Sequence, residues 1–197
     1  MARQEGAARP VTSQQFQQLT DIVRRNSTTP LRDVALLQMS FRAGLRAMEI
    51  AALEMDTILD SNGEILRTIR LKKGGTKGAK GGIAYLSHPE LREALHAYIV
   101  LDRSNKSTEY QNVFISRKGT PFSPSSMSRL FSHLFARGGL DGYTCHSGRK
   151  GLARALNEQN VSVYNIQKIL RHSNIQTTVN HYLSVDEDTL ANLVEGV

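Results

Sequence analysis

At 197 residues, 40% of them hydrophobic, the chain is long enough for one well-buried core and short for two. Its 25 Lys and Arg against 18 Asp and Glu leave a net charge of +7, which favours a polyanionic partner. A single cysteine, Cys145, excludes an internal disulfide and points to a reducing compartment, and no run approaches the roughly 18 apolar residues of a membrane span.

Residues 1–11 are polar, contain Pro10 and read as a flexible N-terminal arm. Thr12 and Ser13 can cap a helix with Phe16, Leu19, Ile22 and Val23 on one face. Pro30 suits the first turn of a second helix, which Gly44 interrupts; a short helix follows through Glu49–Leu53. The period then changes. Thr57–Leu59 and Ile65–Leu71 alternate as two strands about the turn Asp60-Ser61-Asn62-Gly63, and Ile83–Leu86 reads as a third. The Gly/Lys-rich segment between Lys72 and Gly82 is a turn or loop. Ser87 and Glu90 have capping-box spacing, with Pro89 inside the first turn, so a helix is expected from there to about Arg103. Ser123-Pro124 starts another helix ending near Gly138-Gly139, and the chain beyond is helical with breaks near Gly142, Asn160 and His172-Ser173-Asn174. The last segment places Leu190, Leu193, Val194 and Val197 on one helical face. The expected fold class is α+β, mostly helical, with a small three-stranded antiparallel sheet.

The positive charge is clustered: Lys72, Lys73, Lys77 and Lys80 share one turn, and Arg149, Lys150 and Arg154 share one segment. Arg46 lies in Ala43-Gly44-Leu45-Arg46-Ala47-Met48-Glu49, and His146 and Arg149 lie in His146-Ser147-Gly148-Arg149. His172 follows in Leu170-Arg171-His172-Ser173, and Tyr182 comes ten residues later. Two arginines, a lysine, two histidines and a late tyrosine together suit the holding of a phosphodiester while a phenol attacks it. Attack builds negative charge on the non-bridging oxygens, which fixed arginine forks stabilise. Other constellations fit less well. The lysine turn lacks the spacing of a nucleotide-binding P-loop. Cys145, His146, His172 and His181 include no pair with zinc-finger spacing, so no metal is expected. Ser147 and Lys150 have the spacing of penicillin-binding enzymes without the companion motifs.

The order and local contexts of these residues resemble the tyrosine recombinases, the phage integrases and their relatives, from roughly residue 12 to the end. The resemblance implies the catalytic-domain fold of that family over residues 12–197, without the helical core-binding domain that precedes it in most relatives. It implies DNA cleavage through a 3′-phosphotyrosine, with no cofactor. Arg46 and Arg149 would clamp the phosphate, His146 would serve as donor or general acid/base, and His172 would donate to the phosphate. Lys77 would protonate the leaving 5′ oxygen, with Lys73 and Lys80 as rivals. Tyr182 would be the nucleophile. Glu49 would support Arg46 or be an ordinary partner one helical turn away. Lys72, Lys73, Lys80, Lys150 and Arg171 would contact double-stranded DNA. The residue before the third-box histidine is usually glycine; here it is Arg171. The implied assembly is a homotetramer on DNA, monomeric or weakly associated otherwise, in the cytoplasm and associated with the nucleoid of a bacterial or phage-derived system. Three rivals remain: a catalytically inactive DNA-binding regulator, a type IB topoisomerase-like enzyme, and a metal-dependent nuclease, for which no convincing pair of carboxylates is found.

Overall fold

In the computed structural model, which describes residues 8–72, 81–105 and 109–182, the helices start where the caps place them. Thr12 accepts from the Gln15 N–H at 3.1 Å, and the Gln15 side chain accepts from the Thr12 N–H at 3.0 Å. This reciprocal cap opens α1 (Ser13–Asn26), which buries Phe16, Leu19, Thr20 and Val23. Pro30 opens α2 (Pro30–Phe41), whose residues from Arg32 to Phe41 are all buried. A helix apolar on so much of its circumference belongs at the centre of a domain. The ring of Phe41 stacks on that of Phe16 at 4.0 Å between centroids.

Past α2 come two short helices, α3 (Ala47–Ala51) and α4 (Met55–Ile58). The sheet has two strands, β1 (Thr68–Leu71) and β2 (Gly82–Tyr85), antiparallel from Thr68↔Tyr85 to Leu71↔Gly82. The expected strand at Thr57–Leu59 is therefore corrected. The Leu59 N–H returns to the Met55 carbonyl at 2.9 Å and closes a helical turn, so the donor a strand would use is already spent. Only a single bridge, Leu59↔Ile65, survives of that pairing. Ile69 and Ala84 face the core, while Ile83 and Tyr85 point outward.

Helix α5 (Pro89–Tyr98) starts one residue later than expected, with His88 rather than Ser87 as its N-cap. The Glu90 carboxylate that would have closed a box with Ser87 is bonded by Arg42 at 2.8 Å instead. A π-helical turn, Ile99–Arg103, extends α5 to the predicted end. Tyr98 is fully buried; its hydroxyl donates to the Val113 carbonyl at 3.1 Å, and burial pushes its pKa up to about 12.

Ser123 caps α6 (Pro124–Arg137) through the Ser126 N–H. Three further helices follow: α7 (Ser147–Glu158), α8 (Val163–Leu170) and α9 (Ile175–Tyr182). Helix α7 crosses α2 at very short range. A Cβ on Gly148 would sit 2.5 Å from the Ser40 hydroxyl, and one on Gly151 would sit 2.7 Å from the Phe41 ring. Val11 is fully buried here and its N–H donates to the Ser147 carbonyl at 3.2 Å. Packing therefore begins inside the segment expected to be an arm. Residues 183–197, with the predicted apolar stripe, lie outside the described residues.

Candidate active site

The site forms where the turn after α2 meets the N-terminus of α7 and the C-terminus of α8. Gly44 makes this meeting possible. Its φ is +60°, a conformation that favours glycine, and an added Cβ would lie 3.0 Å from both Leu152 and Leu170. Its carbonyl faces inward and accepts from Arg149 and, at 3.1 Å, from Arg171.

Arg46 is the residue that leads into α3. Its backbone N–H donates to one oxygen of Glu49 at 2.8 Å and its guanidinium to the other at 2.8 Å. The side chain keeps 28% of its surface exposed, which suits a donor aimed at an incoming anion. Arg149, in the first turn of α7, is buried, and its two terminal nitrogens donate to the carbonyls of Gly44 and Leu170. Those bonds use two of the five N–H donors of a guanidinium. Arg149 thus ties the two edges of the site together.

His146, the residue before α7, is exposed. Its pKa is lowered, first by partial desolvation and then by the charges of Arg149, Arg46 and Lys150. Three cations spread over about 100 positions of sequence therefore bear on the one imidazole. Burial also lowers the pKa of Lys150.

His172 follows α8. Its Nδ1 lies 2.9 Å from the hydroxyl of Thr178, a fully buried residue of α9. That bond fixes the ring plane and leaves Nε2 as the nitrogen on the far side of the ring. Thr178 was not singled out in the sequence; its spacing of six from His172 carries no motif, and only the docking of α9 on α7 and α8 reveals it. Tyr182 is the last residue of α9, and its side chain lies outside the described part of the structure. Between His172 and Tyr182 the chain makes a brief turn at Ser173 and Asn174 and is then continuous helix.

Lys73, Lys77 and Lys80 lie outside the described residues. The strands bearing their loop are described, and Leu71 pairs with Gly82 at its base. Gly82 rests on the stem of Arg171, so the root of the loop abuts the third box. Lys72 is exposed and paired with Glu54, which raises its pKa. Arg171, expected as a DNA contact, is held within the protein. Its side chain is 5% exposed and turned inward onto Glu49 at 2.7 Å. The cause is the backbone: Arg171 adopts the left-handed conformation, φ 55°, that ends α8, and this swings its side chain back across the site. Glu49 supports both arginines. Burial opposes ionisation of its carboxyl, but the charge of Arg171, the Arg46 N–H and charge, and Arg149 outweigh burial and hold its pKa below the usual carboxylate value. Among the described residues no cluster of three His, Cys, Asp or Glu side chains could hold a metal ion, and no helix is long and apolar enough to cross a membrane.

A fold of this kind, with arginines, histidines and a tyrosine-bearing helix gathered at one edge, defines a class, and comparison with known proteins identifies it. The sequence profile of the phage integrase family matches residues 9–189. The chain belongs to that family. It is 30% identical over 176 residues to the tyrosine recombinase XerC of Chlamydia muridarum, an alignment covering 86% of this chain and 52% of that protein. The chain spans about half the length of the curated relatives it matches. Among solved structures, XerA recombinase superposes with a TM-score of 0.77 at 21% identity, over 97% of this chain and 65% of that one. XerH site-specific recombinase, bound to its palindromic difH substrate, superposes with a TM-score of 0.75 at 16% identity, over 99% of this chain and 55% of that one. The fold is that of the tyrosine recombinase catalytic domain.

Proposed function

We propose that this chain is the catalytic domain of a site-specific recombinase that cleaves and rejoins double-stranded DNA through a 3′-phosphotyrosine. The observation that carries the reading is the gathering of Arg46, Arg149 and Arg171 about one carboxylate, Glu49, and one carbonyl, Gly44: Arg46 and Arg171 bond Glu49, and Arg149 and Arg171 bond Gly44. Such a site has surplus positive charge and suits a phosphodiester.

In the proposed reaction the phenolic oxygen of Tyr182 attacks the scissile phosphorus. A free tyrosine titrates near 10, so its proton must be taken as the bond forms. His146, whose pKa is lowered by partial desolvation and then by the cations around it, is the acceptor in this scheme. Arg46 and Arg149 receive the charge that builds on the non-bridging oxygens, and His172 Nε2 donates to the same group. The P–O5′ bond breaks, and Lys77 gives the departing oxygen its proton. The products are a 3′-phosphotyrosine and a 5′ hydroxyl; attack by a 5′ hydroxyl of another strand reverses the step. The bond energy is conserved, so the scheme calls for neither nucleotide nor metal. The reading extends to a tetramer on paired sites in the cytoplasm, with a weakly associated chain off DNA.

The test is to trap the protein on a pool of nicked suicide duplexes of randomised sequence and map the adduct by peptide sequencing. The expected adduct is on Tyr182, and Tyr182→Phe abolishes it while leaving DNA binding nearly intact. An adduct on another residue, or none from the unaltered chain, refutes the proposal.

A further inference from the structure

Arg171 has no role in the reaction above, yet it touches Gly44, Glu49 and Gly82, which lie at the edges of the site. Its stem lies over Gly82, where an added Cβ would come 2.9 Å from Arg171 Cδ. One terminal nitrogen donates to the Ile169 carbonyl at 3.1 Å; the other donates to the Gly44 carbonyl at 3.1 Å and to Glu49 Oε2 at 2.7 Å. That same oxygen accepts the Arg46 N–H, and Glu49 Oε1 holds the Arg46 guanidinium. The backbone of Arg171 is in the left-handed region, where a side chain carries strain that persists only when its surroundings over-determine it. Here the surroundings are the contacts to Gly44, Glu49, Ile169 and Gly82.

We infer that Arg171 is a positioning residue for strand cleavage, holding Glu49 between two guanidinium groups and thereby setting the aim and the net charge of Arg46. The inference rests on the proposed recombinase reaction. Its physical content is a division of charge. A carboxylate held by Arg46 alone would neutralise it and could turn with it. Shared with a buried second arginine, the carboxylate is fixed in place, and Arg46 keeps part of its positive charge for an anion. An arginine 5% exposed has little surface to offer DNA directly, which separates this role from a backbone contact.

The test compares Arg171→Gly, Arg171→Met and Arg171→Lys in the full chain on a duplex recovered from the trapping experiment. Glycine relieves the left-handed backbone, so Arg171→Gly should keep its cooperative unfolding transition. Single-turnover adduct formation should nevertheless slow by roughly ten- to a hundredfold, the scale of a small misplacement of a reacting group, while DNA affinity changes by less than about threefold. Arg171→Met keeps the stem over Gly82 and should give the same result if the glycine variant does not fold; Arg171→Lys should recover part of the rate. The Arg46 Nε–Hε resonance of the DNA-free protein should shift or broaden in Arg171→Gly and Arg171→Met. Unaltered cleavage, or a loss confined to affinity, overturns the inference. If the unaltered chain traps no DNA, the recombinase reading falls while the resonance still decides: an Arg46 signal unchanged by loss of Arg171 overturns the positioning role.

Discussion

Two arginine–carboxylate groups flank helix α2 and behave differently. At its start, Arg32 and Asp33 meet at 2.7 Å with both side chains at most 5% exposed. The second oxygen of Asp33 accepts the hydroxyls of Ser27 at 2.5 Å and Thr29 at 3.2 Å, and Arg32 also reaches the Ile115 carbonyl. One charge meets one charge, and the group is closed. Beyond its end, Glu49 is shared by Arg46 and Arg171, and Arg149 also acts on it. One charge meets several, and the surplus is positive. The chemistry of the pairs is the same; the number of partners separates a structural lock from the proposed anion site.

This difference can be broken at either end. Arg32→Ala should give the largest effect, a stability loss of about 3–5 kcal/mol in urea denaturation, because a buried carboxylate loses its partner. A loss under about 1 kcal/mol would show that Asp33 is satisfied by the hydroxyls alone. Arg46→Ala should slow cleavage by roughly 10²–10³, the usual cost of one donor to a developing oxyanion, with the unfolding midpoint close to that of the unaltered protein. A large fall in midpoint would make Arg46 another structural lock. Glu49→Gln tests the shared carboxylate through pH. Because the folded pKa of Glu49 is depressed, its contribution to stability is complete above the ordinary value of 4.5 and is lost as pH falls through the lower folded value. The stability gap between the unaltered protein and Glu49→Gln should therefore be flat near neutrality and close in acid. A gap that widens in acid would contradict the assigned sign. The smallest effect belongs to Lys72, whose partner Glu54 is partly exposed. Lys72→Ala should leave the unfolding midpoint unchanged and reduce the log–log salt slope of DNA binding by about one unit if Lys72 meets a phosphate. An unchanged slope would confine Lys72 to its pair with Glu54.

Much of the architecture was readable from local pattern. Thr12, Pro30, and Ser123 with Pro124 mark helix starts because a cap is a contact between near neighbours. The β1–β2 pairing follows from alternation on either side of a lysine-rich turn. Local pattern failed at Thr57–Leu59, where three residues satisfy either period and the return of Leu59 to Met55 chose the helical one. It failed at Ser87 because a glutamate at the right spacing was claimed by Arg42 from another helix.

The sequence by itself determined the helical content, the basic balance and the identities of the residues that could handle a phosphodiester. Each of these depends on residue type or on spacing within a few turns. Only the tertiary structure decided what those residues touch. It turned Arg171 inward onto Glu49, 122 positions away, and set Arg149 on Gly44, 105 positions away. It also gave His172 its partner in Thr178. These bonds exist because Gly44 lets α7 and α8 close on the turn after α2, and a carboxylate in that space takes whichever guanidinium groups the packing delivers.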